Sequence, residues 1–359
     1  MFLLKSNQIF FFFCFFLLVS SIQIEQQKIQ FENWMNKYKK FYSSEKEKET
    51  RFQIFQENLL RIENLRQSDP SAKYDINMFA DLTPEEFKKT HLLSKKFPEL
   101  KSQDKISEEL SLKDIPSSFD WRTQGKVTAV KDQGDCGSCW AFSAIQQIES
   151  AWAIAGNPLT NLSVEQAVEC SGGCDPTTQV CQACGCFGGF PWFVYSDSMT
   201  WGGISTETNY PYCIPPFGGC YPCLVNTTGK TICPAPEYCN RTCNTHAPLT
   251  AHISNWSFTP EDEDQMAAYL VSEGPLSACI DSEWMEFYFG GIANPLFCGS
   301  SVDDIDHCIL VVGYGEDGSK KFWILKNSWG KSWGENGYAR LIRGKKKCCI
   351  DLRVTYTTI

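Results

Sequence analysis

The sequence predicts an α+β fold of two segregated lobes behind a helical N-terminal segment. Three observations carry this. Helix-period patterns with recognisable ends fill the chain before Gly274, and short β-type runs dominate after it. Of 19 cysteines, 18 lie after residue 135, which leaves residues 22–114 cysteine-free and rich in Lys and Glu. With 359 residues and 43% apolar content, the chain can bury a sizeable core and accommodate a processed segment besides.

The elements follow in order. Lys5 precedes an apolar run, Ile9 to Val19, and small residues Ser20 and Ser21 come next. That pattern predicts a cleaved secretory leader over 1–21, too short in its apolar part to span a bilayer. In residues 22–114, the stretch IQFENWMNKYKKFY predicts an aromatic-rich helix. Glu47, Arg51, Phe55, Asn58 and Ile62 are spaced 4, 4, 3 and 4 apart, along one face of a second helix. The junction SLKDIPSSFDWR is polar and holds Pro116, as an exposed cleavable linker would, so a second domain is expected over 115–359. There CWAFSAIQQIESAWAIAG predicts a long buried helix from Cys139 that stops at Gly156. SVEQAVEC begins with Ser163 as cap and Gln166 three residues on. TPEDEDQMAAYLVSEG places Thr259 as cap and Pro260 in the first turn. LSACI, HCILVVGYG, KKFWILK and GYARLIR predict strands. Residues 170–243 form a cysteine-dense insertion of little periodicity, expected to be loops stapled by bridges.

Charge and compartment narrow the partners. Residues 22–114 carry 17 basic and 17 acidic side chains, and residues 115–359 carry 15 against 25. The second part is acidic, so nucleic acid is not an expected partner. A secretory route permits disulfides. It also permits glycosylation at the four sequons, Asn161, Asn226, Asn240 and Asn255.

A cysteine that does chemistry needs a depressed pKa, a base nearby and a group to orient that base. In QGDCGSCWAF, Cys139 stands at the predicted helix start, where free N–H groups and the helix dipole favour a thiolate. Cys136 stands in a glycine-rich loop and suits a bridge. The base is chosen by scarcity. His91 belongs to the cysteine-free zone, and His246 and His252 flank a polar loop. His307 opens an apolar β-type run. Beyond it, Asn327 can orient the imidazole, with Trp329 and Trp333 shielding their hydrogen bond. Gln133 can set an amide beside the Cys139 backbone N–H as an oxyanion hole.

QGDCGSCWAF, DHCILVVGYG and KNSWGKSWGENGY resemble the papain family of cysteine peptidases, on the cathepsin L side, over nearly everything after the leader. IPSSFDWR is similar to the family's mature start. ETRFQIFQENLLRIENL and NMFADLT (Asn77, Phe79, Asp81) resemble the inhibitory propeptide of its proenzymes, with Arg66 and Asp75 departing from that pattern. The resemblance implies a papain-like fold, a helical lobe plus a β-barrel-like lobe. It implies Cys139 as nucleophile, His307 as base and acid, Asn327 as orienter and Gln133 in the oxyanion hole. It implies bridges Cys136–Cys186, Cys298–Cys348 and Cys170–Cys220. Gly188 and Gly189 would pair with substrate backbone. Phe190, Pro191, Cys279 and Ile305 would line the pocket for the side chain two before the cut, with Asp306 and Trp329 also at the substrate. Arg353 at the pocket base would admit an acidic side chain. No cofactor or metal is implied. The expected partners are protein or peptide substrates and the chain's own propeptide, which would lie along the cleft of a monomer until acid removed it near residues 110–115. The expected compartment is an acidic organelle or the cell exterior.

Three departures stand beside this. His307 follows Cys139 by 168 residues, more than the roughly 130–150 usual for such a pair. Cys308 follows the histidine, where a small residue is common; it is expected as a core thiol or an oxidation-sensitive one. YPYCIPPFGGCYPC loosely resembles the occluding region of cathepsin B, without the paired histidines an exopeptidase needs, which favours endopeptidase action. Rival readings are a disulfide-rich binding protein on an inactive scaffold, an exopeptidase or related acyl transferase, and a zinc site at CQACGC and CYPC.

Overall fold

The computed structural model describes residues 23–93, 98, 105–113, 115–172, 183, 185–213, 224–225, 231–232 and 243–359. The leader, Cys181 and Cys184 of the CQACGC stretch, Cys220, the sequons at Asn226 and Asn240, the CYPC stretch and the exopeptidase-like region from residue 214 lie outside them. The described chain forms two compact units. One holds residues up to Asn64 together with Ile76–Thr83; the other holds Leu65–Asp75 and Pro84–Ile359.

In the first unit, α1 (residues 23–38) meets α2 (Glu45–Ser68) through aromatic rings. Phe31 and Trp34 lie 5.3 and 5.5 Å from Phe55, and Phe52, Phe55, Asn58 and Ile62 are buried. The second propeptide motif has a physical reason. Asn58 donates to the carbonyls of Ala80 and Leu82, and Arg51 to that of Asp81. Lys40 and Tyr42 bond the Asp81 carboxylate, and Trp34 donates to the Asn77 carbonyl. A loop without strand partners is thus satisfied by side chains.

The second unit opens with β1 (Ala72–Tyr74) and α3 (Pro84–His91). Then come β2 (Phe119–Asp120), α4 (Cys139–Ile154), α5 (Val164–Cys170) and α6 (Pro191–Trp201). Short strands β3 (Ile204–Ser205), β4 (Leu224–Val225), β5 (Thr231–Ile232) and β6 (Leu249–Ala251) follow. The remainder is β7 (Asn255–Phe258), α7 (Glu263–Ser272), β8 (Leu276–Ile280), β9 (Tyr288–Ala293), β10 (His307–Asp317), β11 (Lys320–Lys326), β12 (Tyr338–Ile342) and β13 (Thr355–Thr358). Helices thus cluster early and the main sheet is late, as expected.

That sheet runs β1-β9-β12-β11-β10-β8-β13-β7, with β2 on β10. Among the described residues it is an open path and not a closed barrel. The β9 edge is taken by β1, which comes from the N-terminal segment. Helix α4 is buried on nearly every side, its polar Gln146, Gln147 and Glu149 included, so it is a core helix, and it packs with α5 and α6 on one side and β10 on the other. Gly156 just beyond it has φ +97°, a left-handed turn that suits glycine. In α5 the Ser163 side chain accepts from Gln166 N–H, but the Gln166 side chain bonds Ser205 and Gly203 instead of closing a capping box. Helix α7 begins later than Thr259 suggests. Asp262 is its cap, accepting from Asp264 and Gln265 N–H, while Thr259 N–H is used by the Val354 carbonyl.

The described bridges are Cys136–Cys186, Cys170–Cys243, Cys279–Cys308 and Cys298–Cys348. The expected Cys170–Cys220 pairing is therefore corrected: α5 and Tyr210 share a small apolar cluster with Ala247, which brings Cys243 to Cys170. Cys308 is likewise no free thiol, because its register partner across β8 and β10 is Cys279.

Candidate active site

Cys139 is the first residue of α4 and is fully buried with a free thiol. The Ser138 hydroxyl before it does not cap the helix; it hydrogen-bonds Tyr212 Oη at 2.6 Å. The N-terminal N–H groups of α4 thus stay unspent by that side chain, which leaves their partial positive charge near the thiol. Burial pushes the Cys139 thiol up to about 12, against the backbone hydrogen bond it makes with Cys308. In this covered state the thiol is neutral.

His307 opens β10 and is fully buried. Its Nε2 lies 2.8 Å from Asn327 Oδ1, and that same oxygen accepts the backbone N–H of Ser328 at 2.8 Å. Ser328 N–H can only donate, so the Asn327 atom is an acceptor and Nε2 must carry the ring proton. Nδ1 then holds a free lone pair, and it has no hydrogen-bond partner among the described residues. Burial lowers the His307 pKa to about 4, opposed by the Asn327 bond. The Trp329 ring lies 4.6 Å from the imidazole and Trp333 stands 5.1 Å behind it, which keeps water from the His307–Asn327 bond.

Gln133 is held at five points, one of them its own carbonyl, which accepts from Tyr212 Oη. Its backbone N–H bonds the Ser328 carbonyl and its Oε1 accepts from Ser328 Oγ. Its Nε2 donates to the Cys136 carbonyl at 2.8 Å and to the His91 carbonyl at 2.9 Å. The last bond was not anticipated. His91, set aside from the sequence as a residue of the cysteine-free zone, lays its carbonyl on the amide expected to serve an oxyanion. Around it, Phe87 stacks on His91 and meets Trp329 edge-on, and His91 Nε2 lies 3.6 Å from Asp135. Leu93 follows, its N–H bonded to the Asp306 carbonyl at 2.7 Å and its side chain buried in a cluster that also holds Cys139, Phe190, Cys279, Ile305 and Cys308. The Leu92 carbonyl runs so close to Gly137 that a Cβ there would meet it at 2.7 Å. A backbone carbonyl can come from any residue type, so no sequence signal marks His91 for this place.

The remaining expected residues are positioned as follows. Gly188 has φ +102° and Gly189 abuts Trp140, so both need glycine. Phe190 precedes Pro191 at the start of α6 and stacks on Trp192. Asp306 is half-buried and accepts from Ser282 N–H and Oγ; loss of solvent raises its carboxyl to about 6. This fixes the loop ahead of His307. Arg353 pairs with Glu261 at 2.7 Å, so its charge is already matched, and a substrate acid would have to displace that partner. Asn161 is exposed, and Asn255 accepts from Lys105.

The chain matches the family model described as papain family cysteine protease over residues 115–358, and that described as cathepsin propeptide inhibitor domain over 31–87. It is similar to cysteine proteinase 1 of Dictyostelium discoideum, 37% identical over 362 residues with 97% of each chain covered. It is similar to cysteine proteinase 15A of Pisum sativum, 35% identical with 90% of this chain and 85% of that one covered. Among solved structures it resembles the digestive procathepsin L2 proteinase from Tenebrio molitor larval midgut, with TM-score 0.74, 29% identity, and 93% and 100% coverage. With a free cysteine at a helix start, a histidine held by an asparagine, and these matches over both parts of the chain, the protein belongs to the papain family of cysteine proteases and carries that family's propeptide inhibitor domain.

Proposed function

We propose that this chain is a cysteine endopeptidase, made as a zymogen over 22–359 after loss of the leader and matured by removal of residues 22–114. Cys139 is the nucleophile, His307 the acid and base, Asn327 its orienter, and Gln133 with the Cys139 N–H the oxyanion donors. The observation that carries this is the bond from Gln133 Nε2 to the His91 carbonyl, beside a free thiol and an unpartnered His307 Nδ1. The propeptide occupies the position a reacting carbonyl oxygen would take.

Once the segment leaves, water reaches the site and the burial that holds thiol and imidazole neutral is relieved. His307 Nδ1 takes the thiol proton, and the helix start stabilises the thiolate. The thiolate attacks the substrate carbonyl carbon, and the oxyanion is held by Gln133 Nε2 and backbone N–H. His307 returns the proton to the leaving amine. It then deprotonates a water that cleaves the thioester and frees Cys139.

Leu93 in its apolar cluster supports preference for an apolar side chain beside the cut. The Arg353–Glu261 pair argues against the acidic preference expected from the sequence. The leader, the bridges and exposed Asn161 support a secretory route for a monomer that ends in an acidic organelle or outside the cell. Acid is the expected trigger. It protonates carboxylates of a segment that balances 17 against 17 charges and leaves that segment positive. Incubating the purified zymogen at about pH 4.5 should shorten it to a chain starting near residues 110–115 and switch on cleavage of internal peptide bonds. A Cys139→Ala chain that gained the same activity would sink the reading.

A further inference from the structure

Cys308 follows His307 directly and is bonded to Cys279, the residue opposite it in the antiparallel pair of β10 and β8. Both halves are fully buried. The Cys308 backbone hydrogen-bonds the Cys139 thiol, which sets the bridge beside the nucleophile. Phe190, Ile305 and both cysteines belong to one apolar cluster, and the propeptide's Leu93 is buried in it, anchored by the Asp306 carbonyl one residue before His307.

Two separate side chains on facing strands can change rotamer independently and let a pocket widen. A cystine cannot, because each half fixes the other. A close-packed apolar pocket bounded by one has a fixed depth.

We propose that the Cys279–Cys308 bridge determines side-chain specificity: it is a rigid wall of the apolar pocket that Leu93 fills in the zymogen, and it admits Leu while restricting larger side chains. This rests on the peptidase reading above and adds to it the residue pair that sets the size limit. A bridge that only stapled β8 to β10 would act on His307, and so on every substrate alike. A wall acts according to side-chain size.

The test compares processed wild type with Cys279→Ala/Cys308→Ala and the bulkier Cys279→Val/Cys308→Ala. Both cysteines are removed together so that no lone thiol is left beside Cys139. Peptides differ only in Leu, Phe or Trp at the pocket position, and reductant is kept at a level that leaves the wild-type bridge intact by mass. The double alanine variant should raise the Phe-to-Leu ratio of kcat/KM about tenfold, and the valine variant less, with the pH profile for the Leu peptide unmoved. Equal ratios in all three proteins, or an equal fall for every peptide, would overturn the proposal. If the double alanine variant does not fold, the valine variant decides by the same ratio. A wild type that cleaves none of the peptides would overturn the peptidase reading itself, before any variant is compared.

Discussion

At the scale of single residues, the site is an exercise in keeping one thiol free among many. Cys136 is bonded to Cys186 and Cys308 to Cys279, so the cysteine nearest Cys139 in sequence and the one next to His307 are already consumed. Cys349 is the other free cysteine among the described residues, and its thiol donates to the Ser301 carbonyl. As candidates, Cys139, His307 and Asn327 were legible from sequence because each is a particular side chain at a recognisable place, a helix start, a strand start and a strand end, and Gln133 through its spacing from Cys139. Cys170 was legible as a bridged residue but not in its partner, since a bridge across 73 residues is chosen by packing that the sequence does not display. His91 was not legible, because it meets Gln133 through its backbone carbonyl, and Leu93 was not, because no local pattern singles out that leucine for the apolar cluster around Cys139. Gln133 has the most direct consequence. Its Nε2 is the donor covered in the zymogen, so Gln133→Ala in the processed enzyme should lower kcat by about 10²- to 10³-fold while KM moves little. A loss confined to KM would assign Gln133 to substrate binding only.

At the scale of elements, pattern and caps located α4, α5, β8, β10, β11 and β12, while the shorter strands escaped. Strands β1 and β2 hold three and two residues and exist only through the partners they find in β9 and β10, a tertiary fact with no local signature. The start of α7 was misread because Thr259 and Asp262 are both acceptable caps; tertiary demand on Thr259 N–H decided between them. Helix α5 carries an unusual feature for its size. Glu165 and Glu169 lie one turn apart, both buried, with Glu207 nearby and Cys213 N–H bonded to Glu165. Burial, reinforced by Glu169 and Glu207, raises Glu165 from the ordinary 4.5 to about 8. A carboxyl whose folded pKa is raised costs nothing below pH 4.5, where folded and unfolded forms are both protonated. Its penalty grows as pH climbs from 4.5 towards 8. Glu165→Gln should therefore raise the Tm by several degrees at pH 8 and leave it nearly unchanged at pH 4, read by thermal unfolding at both pH values. A gain of equal size at both would remove ionisation as the cause.

At the scale of the whole second unit, the N-terminal segment is tied down at several separate places. Strand β1 pairs with β9, and Phe87 and His91 pack on Trp329. The stretch His91–Leu93 bonds Gln133 and Asp306. Residues 105–110 bond Phe258 on β7 and Gln265 and Tyr269 on α7. None of these ties is covalent, and only the middle one covers the chemistry. On the function proposed above, Cys139 is a competent nucleophile silenced by this cover. A thiol-directed peptidyl electrophile with Leu at its recognition position, followed by mass localisation of the adduct, tests it directly. The prediction is no adduct on the intact 22–359 chain, and one adduct, on Cys139, after residues 22–114 are removed. Equal labelling of both forms, or an adduct on Cys349 with Cys139 untouched, would contradict it.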